Sequence, residues 1–216
     1  MMAKVYFISG IDTGIGKTYT TGYLARQWNE QGISTITQKL VQTGNIEISE
    51  DIEIHRQIMG TDLLEVDLEK LTMPEIFSYP ASPHLATEID GREIDFSKIN
   101  QATEQLKEKY QVVLLEGAGG LMVPLTRNLL TLDYIEQQKF PVILVSSGRL
   151  GSINHTLLSL EALKHRCIEL YALAYNLNDE SQDEIISKDT AMYLKNYLSC
   201  HFPQAQWIDI PCLSDH

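Results

Sequence analysis

Along the chain, short apolar runs alternate with longer stretches in which apolar residues recur every three or four positions. Residues 4–9 (KVYFIS), 111–115 (QVVLL), 141–147 (PVILVSS) and 170–176 (LYALAYN) are almost wholly apolar inside, as strands covered on both faces must be. The runs 34–40 (STITQKL) and 206–211 (QWIDIP) are more mixed strand candidates. Helical spacing occupies 18–31, 51–59, 97–109, 152–166 and 181–199. Gly32 and Gly60 stop the first two helices, and Ser97 is placed to cap the third. Leu157, Leu158, Leu160 and Leu163 read as core positions of the fourth. Residues 61–95 show no regular period, and YPASPH at 79–84 reads as a Pro-braced loop. Strands alternating with helices predict an α/β fold with a mostly parallel central sheet. No repeat, low-complexity tract or linker divides residues 1–216, so one domain is expected. In such sheets ligands sit beyond the carboxyl ends of the strands. The segments to read for chemistry are therefore 10–18, 39–44, 116–120, 146–152, 176–178 and 211–213.

The first of these is GIDTGIGKT, between the 4–9 strand and the 18–31 helix. A common phosphate loop has Gly, four residues, then Gly-Lys-Ser/Thr. Counting back from Gly16 that Gly belongs at residue 11, which is Ile, and Gly10 comes one place early. The strand, the glycines, Lys17-Thr18 and the helix nonetheless point to a nucleotide site. Glycines let backbone N–H groups surround phosphate oxygens, and the helix N-terminus adds partial positive charge. Lys17 would reach the terminal phosphates, and the Thr18 hydroxyl would ligate Mg²⁺.

The other segments say less alone. Glu116 ends a buried strand, where an acid can orient Mg²⁺, although Asp is the usual residue there. Asp51 opens a helix, a place the helix dipole favours for any acid. Lys39 closes the second strand; by position it is either a solvated lysine or a second cation for phosphoryl transfer. His155 lies early in a helix, and no His-x-x-x-His or Glu-x-x-His pattern suggests a metal cage.

Composition narrows the partners. The chain of 216 residues is 44% hydrophobic and 21% charged, as in ordinary globular proteins. Its formal net charge of −12 argues against non-specific binding to nucleic acid or anionic membrane. The three scattered cysteines, Cys167, Cys200 and Cys212, fit a reducing compartment better than disulfides or zinc. The N-terminus reads directly into a strand without a basic-then-apolar leader, and no apolar run nears the roughly 20 residues of a membrane span. A cytoplasmic domain is expected.

GIDTGIGKT, SPH, EGAGG and PVILV…GRLGSINHT resemble the dethiobiotin synthetase family, and the resemblance runs from Tyr6 to Leu213. That family's loop is Gly-Thr-Asp-Thr-x-Val-Gly-Lys-Thr, with the same early Gly. The resemblance implies a P-loop NTPase three-layer α/β/α fold and a homodimer. It implies conversion of 7,8-diaminopelargonate, CO₂ and MgATP to dethiobiotin, ADP and phosphate, through a carbamate and a carbamic-phosphoric anhydride. ATP would be held by Thr13, Gly14, Ile15, Gly16, Lys17, Thr18, Tyr19, Asp51, Glu116, Gly117, Ala118 and Gly119. Asn176 would read the adenine edge with Pro211, Cys212 and Leu213. Thr18, Asp51 and Glu116 match the Mg²⁺ ligands. Lys17 and Lys39 would be catalytic, with Lys39 between carbamate and γ-phosphate. Thr13, Lys39, Thr43, Pro80, Ser82 and Gly119 would meet the diamine, and Asn154 would reach it across the dimer.

This chain departs from the family in four places. Leu40 replaces a frequent Pro, implying a looser strand end. Ile11 removes a Thr hydroxyl from the loop, and Ala81 removes one from the PTSPH loop. The chain stops at His216 where many relatives continue, implying weaker enclosure of adenine. Two other families share this kind of loop. A partitioning-type regulatory ATPase would carry a signature lysine where Asp12 stands, and an amidating synthetase of the cobalamin type would add a glutaminase domain with a nucleophilic Cys.

Overall fold

The computed structural model describes residues 3–178 and 183–212. Strand β1 (Lys4–Gly10) runs into the glycine loop and helix α1 (Lys17–Glu30). Then come β2 (Thr35–Lys39), β3 (Gln42–Thr43), α2 (Glu50–Met59), α3 (Glu65–Leu68), β4 (Ile76–Phe77), α4 (Pro83–Asp90) and α5 (Phe96–Lys109). The second half is β5 (Val112–Gly120), β6 (Pro124–Thr126), β7 (Leu129–Leu130), α6 (Thr131–Gln138), β8 (Val142–Ser147), α7 (Ser152–His165), β9 (Leu170–Asn176), α8 (Glu184–His201) and β10 (Gln206–Ile210).

Six strands form one sheet in the order β10-β9-β8-β1-β5-β2, and every neighbouring pair is parallel. Alternate side chains of each strand enter different cores, as the two-residue strand period demands. Phe7, Val113, Leu115, Leu144 and Leu173 meet Ile99, Leu106, Ile135, Leu160 and Leu194 from α5, α6, α7 and α8. Tyr6, Ile8, Leu114, Ile143 and Ala172 face the other way, against Tyr23, Leu24 and Ala25 of α1. The expected three-layer α/β/α arrangement follows from this division. The loop after β1 lies at mid-sheet, between the ends of β5 and β8.

Several expectations need correction. Residues 61–95 are not all irregular: SPH opens α4, with Ser82 at the N-cap and Pro83 in the first turn, where a missing N–H costs nothing. Asp95 rather than Ser97 caps α5, its carboxylate accepting from Lys98 N at 3.0 Å. EGAGG is strand, not turn: β5 continues to Gly120, which pairs with Gly10. Leu158 is 62% exposed, so the apolar stripe of α7 is wider than its buried face. Leu40 does not loosen β2. Its N–H donates to Glu116 O at 2.9 Å, a ladder bond that Pro could not make. The antiparallel β6–β7 hairpin and α6 were not anticipated.

Candidate active site

The glycine loop folds back on itself tightly enough to explain its spacing. A Cβ on Gly10 would lie 2.6 Å from Ile15 Cγ2 and 2.9 Å from Asp12 O, so the glycine is needed at 10. Gly16 precedes α1 with φ of 95°, and a Cβ there would collide with the Asn176 amide. Ile11 donates its N–H to Val145 O at 3.0 Å. Its side chain borders a cleft of about 340 Å³ with Met122, Val123 and Leu158, so its apolar character fits. Asp12 pairs with Arg149, Oδ2 to Nη2 at 2.6 Å, which bridges the loop to the turn after β8.

Beyond the carboxyl ends of β1, β2 and β5 lies a cavity of about 240 Å³. Thr13, Gly14, Lys17, Thr18, Lys39, Thr43, Asp51, Glu116, Ala118 and Gly119 line it, all expected site residues, together with Val41 and Gln42. The Thr18 hydroxyl lies 2.8 Å from Asp51 Oδ1 and 3.2 Å from Glu116 Oε1. Buried Lys39 bridges the same two carboxylates, reaching Glu116 Oε1 at 2.8 Å, Gly117 O at 3.2 Å and Asp51 Oδ2. Lys17 Nζ donates to Asp12 O at 3.4 Å.

The charges set one another. Burial would push Glu116 up, but Lys39 and a hydrogen bond from His55 outweigh it and hold its pKa far below the usual carboxylate range. Burial opposes the charge on Lys39, yet Glu116 and Asp51 raise its pKa above normal. Burial lowers the Lys17 pKa; Glu116 and Asp51 pull it back only in part. Both lysines border a space able to take phosphates.

Hard oxygen donors on Thr18, Asp51 and Glu116 suit Mg²⁺, which keeps several waters and takes substrate phosphates as its remaining ligands. Among the described residues no group of three or more His, Cys, Asp or Glu could hold a metal alone.

The remaining expected residues are more dispersed. The Asn176 side chain donates to Ile15 O at 3.0 Å and accepts from Asn178 N at 2.9 Å, so it braces the phosphate loop. Tyr19 OH donates to Pro211 O at 2.8 Å, and Cys212 Sγ lies 2.8 Å from Asn178 Oδ1, which brings the 211–212 segment beside the loop helix. Leu213 lies outside the described residues. Pro80 abuts Gly44, next to Thr43, and Ser82 Oγ contacts His84 Nδ1 at 3.1 Å. Neither Pro80 nor Ser82 lines the cavity, and Asn154 stands exposed on α7, away from it.

His55 was missed. It is fully buried and binds Glu116 Oε2 through Nε2 at 2.9 Å. The signal was present: Asp51 and His55 are four apart, hence on one face of α2.

Comparison with known proteins agrees with this geometry. A family model described as an AAA domain matches residues 4–199. The ATP-dependent dethiobiotin synthetase BioD 2 of Pasteurella multocida is 52% identical over 94% of this chain and 94% of its own length. The ATP-dependent dethiobiotin synthetase of Chlorobaculum tepidum is also 52% identical, over 97% of this chain and 88% of that protein. The one from Thermodesulfovibrio yellowstonii is 34% identical over 98% of this chain. Among solved structures, chloroplast FtsY from Physcomitrella patens is similar with a TM-score of 0.56 at 17% identity, covering 95% of this chain and 57% of that one. That likeness concerns fold alone.

Proposed function

The chain belongs to the ATP-dependent dethiobiotin synthetases, ligases of biotin biosynthesis, and from that premise we propose how its residues share the reaction. The observation that carries the assignment of roles is the convergence of Thr18, Asp51, Glu116 and Lys39 on one cavity with Lys17.

CO₂ adds to one amine of 7,8-diaminopelargonate to give a carbamate. A carbamate oxygen attacks the γ-phosphorus of ATP, the bond to the β,γ-bridging oxygen breaks, and ADP leaves. The second amine then attacks the carbamoyl carbon, phosphate departs, and the cyclic urea closes. Lys17 and the loop amides from Thr13 to Gly16 hold the phosphates. Thr18, Asp51 and Glu116 would hold Mg²⁺, which neutralises phosphate charge when bound. Lys39 stabilises charge on the oxygens in transfer, a role that requires it to stay protonated, as its carboxylate partners ensure. Thr13, Thr43 and Gly119, which line the cavity, would meet the diamine, while Pro80 and Ser82 lie outside its lining. Asn176 and the 211–212 segment would flank the adenine, Asn176 acting both there and on the loop.

The functional unit in this reading is a homodimer of single-domain subunits in the cytoplasm. Exposed Met122 and Leu158 give an apolar margin to the cleft beside the phosphate loop, and exposed Leu150 and Asn154 lie at the start of α7, where a second copy could receive Asn154. No helix among the described residues is long and apolar enough to cross a membrane. Incubation with diaminopelargonate, bicarbonate and MgATP tests the whole: dethiobiotin should be detected by mass, dependent on both ATP and Mg²⁺. Absence of that product from folded protein would overturn the reading.

A further inference from the structure

We propose that His55 is a positioning residue for Glu116, held in one tautomer by Arg56 acting through Thr37. The inference rests on the reading of Glu116 as a metal ligand, but its geometry stands without the metal.

The argument is a count of hydrogens. Arg56 is buried and anchored by Asp67: Nε donates to Oδ2 and Nη2 to Oδ1, each at 2.8 Å. Asp67 also accepts from Thr72 Oγ1 at 2.6 Å and Leu64 N at 2.7 Å. Its pKa lies below normal, because those bonds and the Arg56 charge overcome its burial. The guanidinium is therefore fixed in place, and a guanidinium can only donate. Its Nη1 donates to Thr37 Oγ1 at 2.9 Å.

Thr37 is fully buried in the middle of β2, and its hydroxyl carries one hydrogen. Among the described residues the other polar atom at that oxygen is His55 Nδ1, at 3.0 Å. With Arg56 already donating to Oγ1, the hydroxyl hydrogen points to Nδ1, which must be bare. The ring proton then sits on Nε2 and donates to Glu116 Oε2 at 2.9 Å. A proton on Nδ1 would set two donors against Oγ1 and leave the buried hydroxyl hydrogen without an acceptor.

The consequence is a division between the two oxygens of Glu116. Oε2 is held by His55, while Oε1 faces Thr18 and Lys39 at the cavity. Rotation of the carboxylate would forfeit the bond from His55. Partners behind metal ligands commonly govern metal affinity by ten- to a hundredfold.

Two measurements on the full chain test this. In metal-free, ¹⁵N-histidine-labelled protein, long-range ¹H–¹⁵N correlation should show the ring assigned to His55 protonated at Nε2 and bare at Nδ1. Absence of that spin system from His55→Gln makes the assignment. In turnover assays at saturating ATP, His55→Leu should raise the half-saturating Mg²⁺ concentration about tenfold, with a smaller fall in kcat. His55→Gln, which keeps an N–H for Glu116, should recover most of that loss. A proton on Nδ1, an unchanged Mg²⁺ dependence in folded His55→Leu, or a Gln variant no better than Leu would overturn the proposal. The tautomer measurement needs no substrate, so a failure there is separate from failure to make dethiobiotin.

Discussion

Replacing Lys39 with Met is the most informative single change to this site. The side chain is buried and its ammonium separates Asp51 from Glu116, which both approach Thr18 Oγ1. Met fills nearly the same volume, so packing is kept and only the cation is lost. Removing one member of a buried ion pair costs about 3–5 kcal/mol. Asp51 is partly exposed and can turn to water, whereas Glu116 cannot, which favours the lower end. For a chain of this size each kcal/mol moves Tm by roughly 2–4 °C, so the metal-free variant should melt about 6–12 °C below the parent. Mg²⁺ with ADP should narrow the gap, because a divalent cation restores the charge the carboxylates lost. Turnover should fall at least about 10²–10³-fold while nucleotide affinity largely survives. Differential scanning fluorimetry with and without Mg·ADP, with calorimetric titration and product detection by mass, measures all of this. A variant melting within about 2 °C of the parent, or one with normal turnover, would refute the reasoning.

Other expectations follow from the same charges and surfaces. Lys17→Ala should weaken MgATP binding itself, and calorimetry showing unchanged affinity would contradict the loop assignment. Glu116 has a depressed pKa when folded, so its contribution to stability is present above the ordinary carboxylate pKa and is lost as pH falls through the folded value. The Tm difference between the parent and Glu116→Gln should therefore be largest near neutrality and shrink below about pH 4; a gap that widens in acid would be the wrong sign. Leu158→Glu should leave the fold intact but yield monomer with little activity, by sedimentation and turnover assay. A fully active monomer would remove Asn154 from the site.

What the sequence revealed follows the range of the forces involved. The strand–loop–helix unit from β1 to α1 was legible because its apolar run, glycines and helix start are adjacent. Lys39 was ambiguous, since only the parallel pairing of Lys39 with Glu116 in the β2–β5 ladder brings it to the acids. The extension of β5 to Gly120 was hidden because glycines read as turn; here they let β5 approach β1, and a Cβ on Gly120 would lie 3.1 Å from Gly10 O. α4 was hidden by its own Pro83, which signals a break yet sits where a helix accepts it. Ser97 and Asp95 are both good caps; Phe96 packs against the core, which starts α5 early. The spacing of Asp51 and His55 put His55 on the site-facing side of α2, but its task could not be read from it, because its partners Thr37 and Glu116 come from two separate strands.

The pairing of Lys39 with two acids also bears on how nucleotide arrives. Lys17 and Lys39 against Asp51 and Glu116 give two charges of each sign, so the four groups sum to zero. Short-range contacts can hold phosphates there, but the site presents no net positive field at a distance. Around it the chain carries −12, and MgATP is itself an anion. The long-range force on the approaching nucleotide is therefore repulsive, and added salt screens it. Association should quicken as ionic strength rises from low values, the reverse of what a cation-lined phosphate site would do.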